Sequence, residues 1–403
     1  MMKGREGSLE SMALKVFISA GEASGEFYGS QLIDALARAR AARGENAEFF
    51  GMGGERMAAA GLDRIVRAED IAVMGFSEVI SHLPRIYREF RKLRQSIRDR
   101  RPDVAVLIDL PDFHFRLLRE FKNLGIPVVY FVSPQLWAWK KHRIEQVRKY
   151  VGRMVVIFPF EEGYYRERGI EAEFVGHPLA DLPAPTVSRE QFGSANGLDP
   201  GRTWIGLLPG SRITEIEKNL PEMLKAARLL GEGFEFLLPL APTLDDARRG
   251  RVLGLVESLA SGLPIRLVDD ARAALFHARA SVVASGTATV EAALIGNPFV
   301  VVYRVSPMTF AIARRVVDVP HVAMANLIAG KRVAPELIQH DFTAPNIVRN
   351  LVPLLPDGPA RQSMMEELGG VRRALEAPTQ AGSEHTGAIE RLARIVLGTV
   401  SAS

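Results

Sequence analysis

The chain has 403 residues, 47% hydrophobic and 24% charged, enough for two globular domains with a core each, and this excludes disordered and fibrous classes. It contains no cysteine, which removes disulfides, thiolate nucleophiles and cysteine-ligated metals and fits a reducing cytoplasm. The balance of 51 basic against 47 acidic residues, net +4, marks no nucleic-acid partner by itself.

Residues 1–12 lack the apolar core of a signal peptide and read as an N-terminal extension. No apolar run approaches the roughly 18 residues that a membrane span needs. Apolar runs rich in β-branched residues then alternate with helical patterns, the signature of a parallel sheet wrapped by helices. Strands are expected at Lys15 to Ser19, Glu48 to Gly51, Val104 to Ile108, Val128 to Val132, Met154 to Ile157 and Glu173 to Val175. In open α/β sheets ligands bind beyond the carboxyl ends of the strands, so the turns there matter most. The first strand runs into Gly21-Glu22-Ala23-Ser24-Gly25-Glu26, although glycines at such junctions are common for backbone reasons alone. Asp109, at the end of a buried strand, needs solvent or a partner, as a helix cap or as a catalytic group. Trp137 and Trp139 stand beside Lys140, Lys141, His142 and Arg143, a mix suited to an anionic ligand or lipid headgroup and equally to packing at a helix start.

Between the second and third of these strands, Val79 to Arg101 carries eight Arg or Lys residues, Arg85 and Arg88 among them, against Glu89 and Asp99. Leu83, Ile86, Phe90, Leu93 and Ile97 fall at helical spacing, and Val79, Ile80 and Leu83 open the segment. Such a helix lays a solvated basic face over a core stripe, or docks on a membrane surface. It has no nucleic-acid module or stacking platform beside it.

Asp181-Leu182-Pro183-Ala184-Pro185 breaks the pattern and reads as a linker. Strands resume at Trp204 to Leu208, Glu235 to Pro239, Ile265 to Val268, Ser281 to Ala284 and Phe299 to Val302, and from about Pro307 the chain reads as helices alone. Two strand ends stand out. Gly206-Leu207-Leu208-Pro209-Gly210-Ser211-Arg212 leads into a helix containing Glu215, and Ser285-Gly286-Thr287-Ala288-Thr289-Val290-Glu291 opens another. Each could be an ordinary capped turn. Together they suit a nucleotide diphosphate: helix N-termini attract an anion, Arg212 binds it bidentately, Ser and Thr hydroxyls add donors, and Glu291 accepts from a ribose hydroxyl.

These words, with Ala72-Val73-Met74-Gly75-Phe76, Asp109-Leu110-Pro111-Asp112-Phe113, Ser133 to Trp139, Pro159-Phe160-Glu161, Gly176-His177-Pro178 and Asn326-Leu327-Ile328-Ala329-Gly330, carry a resemblance. From about Lys15 to Leu397 the chain resembles the lipid-A-disaccharide synthase family of GT-B glycosyltransferases. The resemblance implies an α/β fold of two Rossmann-like doubly wound parallel-sheet domains facing across a cleft, with a helical C-terminal segment. Residues 13–183 would form the acceptor- and membrane-facing domain, 184–345 the UDP-sugar domain, and 346–403 helices packed back on the first domain or exchanged in a homodimer. The implied reaction is inverting transfer of 2,3-diacylglucosamine from its UDP derivative to 2,3-diacylglucosamine 1-phosphate, without cofactor or metal, at the cytoplasmic face of the inner membrane. Asp109 is then the expected general base and Glu22 the second choice, with Ser24 beside it. Ser211, Arg212, Ser285, Gly286, Thr287, Ala288, Glu291 and Asn326 would bind the donor, and Val79, Ile80, Leu83, Arg85 and Arg88 the membrane. Three positions depart from the family pattern. Glu26 stands where Asp is common, His114, a further titratable group near the acceptor, where Asn is common, and Met324-Ala325 where Leu-Pro would stiffen the loop before Asn326. The competing readings are another UDP-sugar GT-B transferase, a UDP-sugar epimerase, and a two-lobed ligand-binding protein.

Overall fold

A computed structural model describes residues 13–72, 79–241, 244–307, 309–311, 319–378 and 386–401, and of residues 72 and 79–83 it describes the backbone alone. The chain forms two compact units, one of Met1–Pro178 with Ala377–Ser403 and one of Leu179–Glu376.

The first unit holds a parallel sheet of β1 (Leu14–Ala20), β2 (Ala47–Gly53), β3 (Leu62–Arg67), β4 (Val104–Ile108), β5 (Val128–Phe131), β6 (Arg153–Val156) and β7 (Ala172–Phe174). Their order is β3-β2-β1-β4-β5-β6-β7. The central strands read as unbroken apolar runs because helices cover both faces, and all five residues of β4 are buried. Phe17 anchors one layer, with its ring 5.6 Å from Phe50 and 5.3 Å from Phe121. The Ala388–Ser401 helix packs on the Ala23–Ala41 helix and buries Ile389, Leu392 and Val396.

In the second unit β8 (Thr203–Leu208), β9 (Phe234–Pro239), β10 (Ile265–Val268), β11 (Ala280–Ala284), β12 (Phe299–Tyr303) and β13 (Glu336–Ile338) pair in parallel in the order β10-β9-β8-β11-β12-β13. Trp204, fully buried, ties β8 to its surroundings through Nε1, which donates to Glu235 Oε2 at 3.0 Å and to the Asp199 carbonyl at 3.0 Å.

Three features differ from the sequence expectation. Strand β3 sits at a sheet edge, where Asp63, Arg64 and Arg67 interrupt the apolar pattern that marks a buried strand. Strand β13 has three residues in a stretch expected to be helical throughout, too few for any periodicity to register. The division of the C-terminal segment also differs. The Ala344–Leu351 and Pro359–Leu375 helices belong to the second unit, where Ile347, Leu351, Met364, Leu368 and Leu375 are buried, and the chain rejoins the first unit at Ala377. The first crossing falls at Leu179, a few residues ahead of the linker break.

Candidate functional site

Both sheets reverse their strand order at one place, between β1 and β4 in the first unit and between β8 and β11 in the second. Crevices for ligands open at such switch points. Four of the five turns singled out in the sequence leave these four strands, so the topology pairs the Gly21–Gly25 turn with Asp109 and the Pro209–Arg212 turn with Ser285–Ala288, while the Ser133–Trp139 turn follows β5.

In the first unit Ala20 lies in register with Ile108, so Glu22 and Asp109 follow adjacent strand ends. Glu22 is exposed and precedes the Ala23–Ala41 helix as its cap residue, and Ser24 sits in the first turn. Gly21 packs closely on the second turn: a Cβ there would lie 2.4 Å from Leu110 Cδ2, so that side chain would have to move. Asp109 and Leu110 both have left-handed backbones, with φ 52° and 48°, a rare pairing for residues with a side chain. The Asp109 carbonyl accepts from Tyr130 Oη at 2.7 Å and bonds His114 Nδ1 at 2.7 Å. His114 Nε2 meets Ser19 Oγ at 2.8 Å. A carbonyl only accepts, so Nδ1 carries the ring proton and Nε2 accepts from the serine hydroxyl. His114 is wholly buried, and that burial lowers its pKa to about 4. It is a neutral strut beneath the turn, which corrects the expectation of an added titrating group. Glu26, the first of the three departures, accepts from the Arg56 amide at 2.8 Å in the opening turn of the Glu55–Ala59 helix.

The Ser133–Trp139 loop beyond β5 starts from Val132, a β-branched residue at φ 61°. It rests on Glu161, whose Oε1 accepts from Ser133 Oγ at 2.7 Å and Trp137 Nε1 at 3.1 Å. Burial raises Glu161 to a pKa of about 7 against the lowering effect of these bonds. Trp139 is 40% exposed with Lys140 Nζ 4.2 Å from its ring centre, while Lys140 and Arg143 pair with Asp112 at 2.9 and 2.6 Å.

In the second unit the Ile213–Leu230 helix starts after Arg212 and the Thr287–Ile295 helix after Gly286, neither with a side-chain cap bond. Ser188, Asp245 and Asp270 cap three other helices of this unit, and the helices starting at Met324, Ala344 and Pro359 likewise have no side-chain cap bond. What distinguishes the two at the switch point is their place, where an uncapped helix start suits an outside acceptor. Gly210 has φ 121°, and a Cβ there would crowd Glu215 at 2.7 Å. Ser211 and Arg212 are exposed, and Arg212 lies 3.4 Å from Glu215. Asn219 Nδ2 holds the Pro209 carbonyl at 2.9 Å. Gly286 and Thr287 are exposed, and Ser285, Ala288 and Glu291 half-buried. Burial raises the Glu291 pKa, opposed by Arg272 and reinforced by Asp270.

Asn326, expected to bind the donor, is buried with its side chain engaged within the second unit. Its Nδ2 donates to the Ala334 carbonyl at 2.9 Å and Glu336 Oε1 at 2.8 Å, and its Oδ1 accepts from the Val333 and Ala334 amides at 2.8 and 2.9 Å. That fills the capacity of an amide. Glu336 also accepts from the Val322 and Ala323 amides, and Ser285 Oγ donates to the Val322 carbonyl at 3.2 Å. The loop before Asn326 is therefore pinned by a carboxylate where proline is missing. Sequence reasoning passed over Glu336 and Tyr130, and held Glu161 only as part of the Pro159-Phe160-Glu161 word. Their only local signals are a carboxylate opening a strand, a Glu third in a helix after Pro159, and a hydroxyl inside an apolar strand.

The basic helix runs from Val79 to Arg100, and the side chains of Val79, Ile80 and Leu83 lie outside the described residues. Leu93 and Ile97 are buried and Ile86 and Phe90 pack on the same core. Much of its charge is matched within the unit. Arg94 and Arg98 hold Glu120 at 2.6 and 2.5 Å, Arg88 and Lys92 flank Glu89 at 3.3 and 2.9 Å, and Arg85 and Arg100 pair with Asp70 and Asp63. Tyr87, 64% exposed, and the exposed Arg88 and Arg91 share its outer face. Among the described residues no helix is long and apolar enough to cross a membrane.

The family model described as lipid-A-disaccharide synthetase matches residues 16–381. The chain is 59% identical over 377 residues to the lipid-A-disaccharide synthase of Acidobacterium capsulatum, covering 91% of this chain and 93% of that one. It is 50% identical over 388 residues to that of Koribacter versatilis, covering 95% and 98%. Among solved structures, UDP-GlcNAc 2-epimerase from Neisseria meningitidis superposes with a TM-score of 0.60 at 12% identity, covering 97% of this chain and 100% of that one. The calicheamicin glycosyltransferase CalG4 does so at 0.59 and 16%, covering 97% and 99%. An epimerase and a transferase share this fold, so the architecture alone does not choose the reaction.

Proposed function

We infer how this chain, which belongs to the lipid-A-disaccharide synthase family, divides that family's reaction between its two units. The reaction is transfer of 2,3-diacylglucosamine from its UDP derivative to 2,3-diacylglucosamine 1-phosphate, giving the β-1,6-linked disaccharide 1-phosphate and UDP. Inversion needs a base that removes the proton of the acceptor hydroxyl as it attacks, and we assign Asp109 to it, with Glu22 second and Ser24 beside the acceptor. The leaving group is UDP, whose diphosphate gathers negative charge as the sugar departs. Arg212, Ser211 and the open helix starts after Arg212 and Gly286 are assigned to that charge, with Ser285, Thr287 and Ala288 lining the same turn and Glu291 on the ribose. Asn326 serves by position, holding through Glu336 the loop on which Ser285 rests.

One observation carries this reading. In each unit the two turns with acid-base or anion-binding residues leave the two strands that flank the switch point. Incubating the protein with both acylated sugars and following UDP release tests it. Asp109→Asn is expected to lower turnover by roughly 10²–10⁴-fold while UDP still binds. Turnover within threefold of wild type would move the role to Glu22 or to water.

The acylated substrates favour a peripheral site of work at the cytoplasmic face of the inner membrane. Each buried methylene is worth about 0.8 kcal/mol, so such acceptors seldom leave a bilayer. Tyr87, Arg88 and Arg91 on the outer face of the basic helix support docking there.

A further inference from the structure

Ser19, His114 and Tyr130 form a polar group under the Asp109 turn that the transfer itself does not use. Ser19 and His114 are fully buried, as is Tyr130. The group draws on β1, on the short Pro111–His114 helix and on β5, and it converges on one atom, the carbonyl oxygen of Asp109. That carbonyl belongs to the first of two consecutive left-handed residues. A left-handed backbone is unfavourable at a residue with a side chain; at Leu110 the following turn offsets part of it, since the Leu110 carbonyl accepts from the Phe113 and His114 amides at 3.2 and 3.0 Å. The two donors hold the peptide between Asp109 and Leu110 in the unfavourable orientation, and the Asp109 amide, donating to the Phe131 carbonyl at 3.0 Å, fixes the peptide before it. Both flanking peptides are thus tied, and the direction of the Asp109 Cα–Cβ bond is set by them. Backbone strain that the surroundings over-determine is a mark of functional positions.

We propose that His114 and Tyr130 are positioning residues for catalysis, clamping the Asp109 carbonyl so that the carboxylate keeps its aim, with Ser19 donating to Nε2 of the histidine tautomer that the carbonyl requires. The proposal rests on the assignment of Asp109 as base. A displacement of about 1 Å at a reacting group costs on the order of 10²-fold in rate, so loss of the clamp is felt in turnover before binding.

The chemistry of the ring offers a test. An asparagine amide nitrogen reaches the place of Nδ1 and a glutamine amide that of Nε2. His114→Asn therefore retains the donor to Asp109 and gives up Ser19, whereas His114→Gln does the reverse. With both acylated sugars as substrates, His114→Gln is expected to lose about 10–100-fold in kcat with KM within about threefold, and His114→Asn to restore kcat to within about threefold of wild type. Tyr130→Phe, which removes one donor and keeps the ring, should lose about three- to tenfold in kcat, and it stands in should the glutamine variant not fold. Melting temperatures separate the alternatives: a purely structural role makes kcat follow the folded fraction and the two His114 variants fall together. Equal kcat in those variants, or Tyr130→Phe at wild-type turnover, overturns the proposal. Asp109→Asn measured alongside tells the two readings apart. An active Asp109→Asn enzyme sinks the base assignment and this inference with it, and an inactive one beside equal His114 variants sinks the inference alone.

Discussion

Glu161 shows how a single buried carboxyl links the loop after β5 to the pH of the medium. It is 1% exposed, and burial holds its pKa at about 7 although Ser133, Trp137 and the Phe158 amide all donate to it. In the unfolded chain the same group ionises near 4.5. Between those values only the unfolded state gives up its proton, so stability present below 4.5 is lost as pH rises through 7, by about 3 kcal/mol in all. Glutamine at this position stays neutral and its Oε1 can still accept from Ser133 and Trp137. The stability of wild type relative to Glu161→Gln is therefore expected to fall between pH 4.5 and 7 and to level off above, as read from paired denaturant melts. A difference that does not change with pH would show the carboxyl ionised throughout. The family motif marked Pro159-Phe160-Glu161 as a word but could not say that its carboxylate supports a second word 28 residues earlier, Ser133 to Trp139.

Elements were most legible where burial is nearly complete, although the edge strands β7 and β10, with Glu173 and Arg266 exposed, were read as well. Strands β1, β4, β8 and β11 stand out as apolar runs, and they are the four whose ends bear the proposed site. Strands β3 and β13 were missed because an edge strand tolerates charge and a three-residue strand has no period. The ties between elements were also hidden, since Ser19 and His114 lie 95 positions apart and Asn326 and Glu336 ten. The basic helix is the instructive case. Its composition suggested a broad cationic face, yet Arg94 and Arg98 are spent on Glu120, whose carboxyl they hold below the usual range, Arg98 most strongly and against the cost of burial. The membrane docking proposed for this helix would then rest on Tyr87 and Arg91, with Arg88 shared with Glu89, and on the apolar residues that open the segment in sequence. Replacing Tyr87 and Arg91 by Ser is expected to weaken cosedimentation with anionic vesicles, with the charge-dependent part fading as salt shortens the screening length to about 8 Å. Arg94→Ala with Arg98→Ala should instead lower the melting temperature, because Glu120 is left buried without a partner. Vesicle binding indifferent to Tyr87, Arg91 and salt alike would return the helix to a structural role.

At the scale of the whole molecule the chain leaves the first unit at Pro178 and returns to it at Ala377, so that unit is assembled from both ends of the sequence. The returning segment is short, but its Ala388–Ser401 helix buries Ile389, Leu392, Ala393 and Val396 against the Ala23–Ala41 helix and near β4. The three larger side chains are worth about 1.5–3 kcal/mol each, and their sum is comparable with the roughly 5–15 kcal/mol that separates a folded domain from its unfolded state. The Arg38–Glu390 ion pair at 3.3 Å adds little, since both side chains are more than half exposed. The second unit has its own uninterrupted chain from Leu179 to Glu376 and its own buried core around Trp204 and Leu237. Ending the chain after Glu376 should therefore unfold or aggregate the first unit at room temperature and leave the second folded. Circular dichroism and limited proteolysis would check it: loss of the Asp109 unit to protease beside a stable fragment of residues 179–376 is the expected pattern. Supplying residues 377–403 in the same chain ahead of residue 13, through a flexible linker, should restore the first unit, because the contacts depend on the helix being present and not on where the sequence places it. A truncated protein that melts like the full chain would mean that the Ala23–Ala41 helix and β4 carry the first unit without their cover.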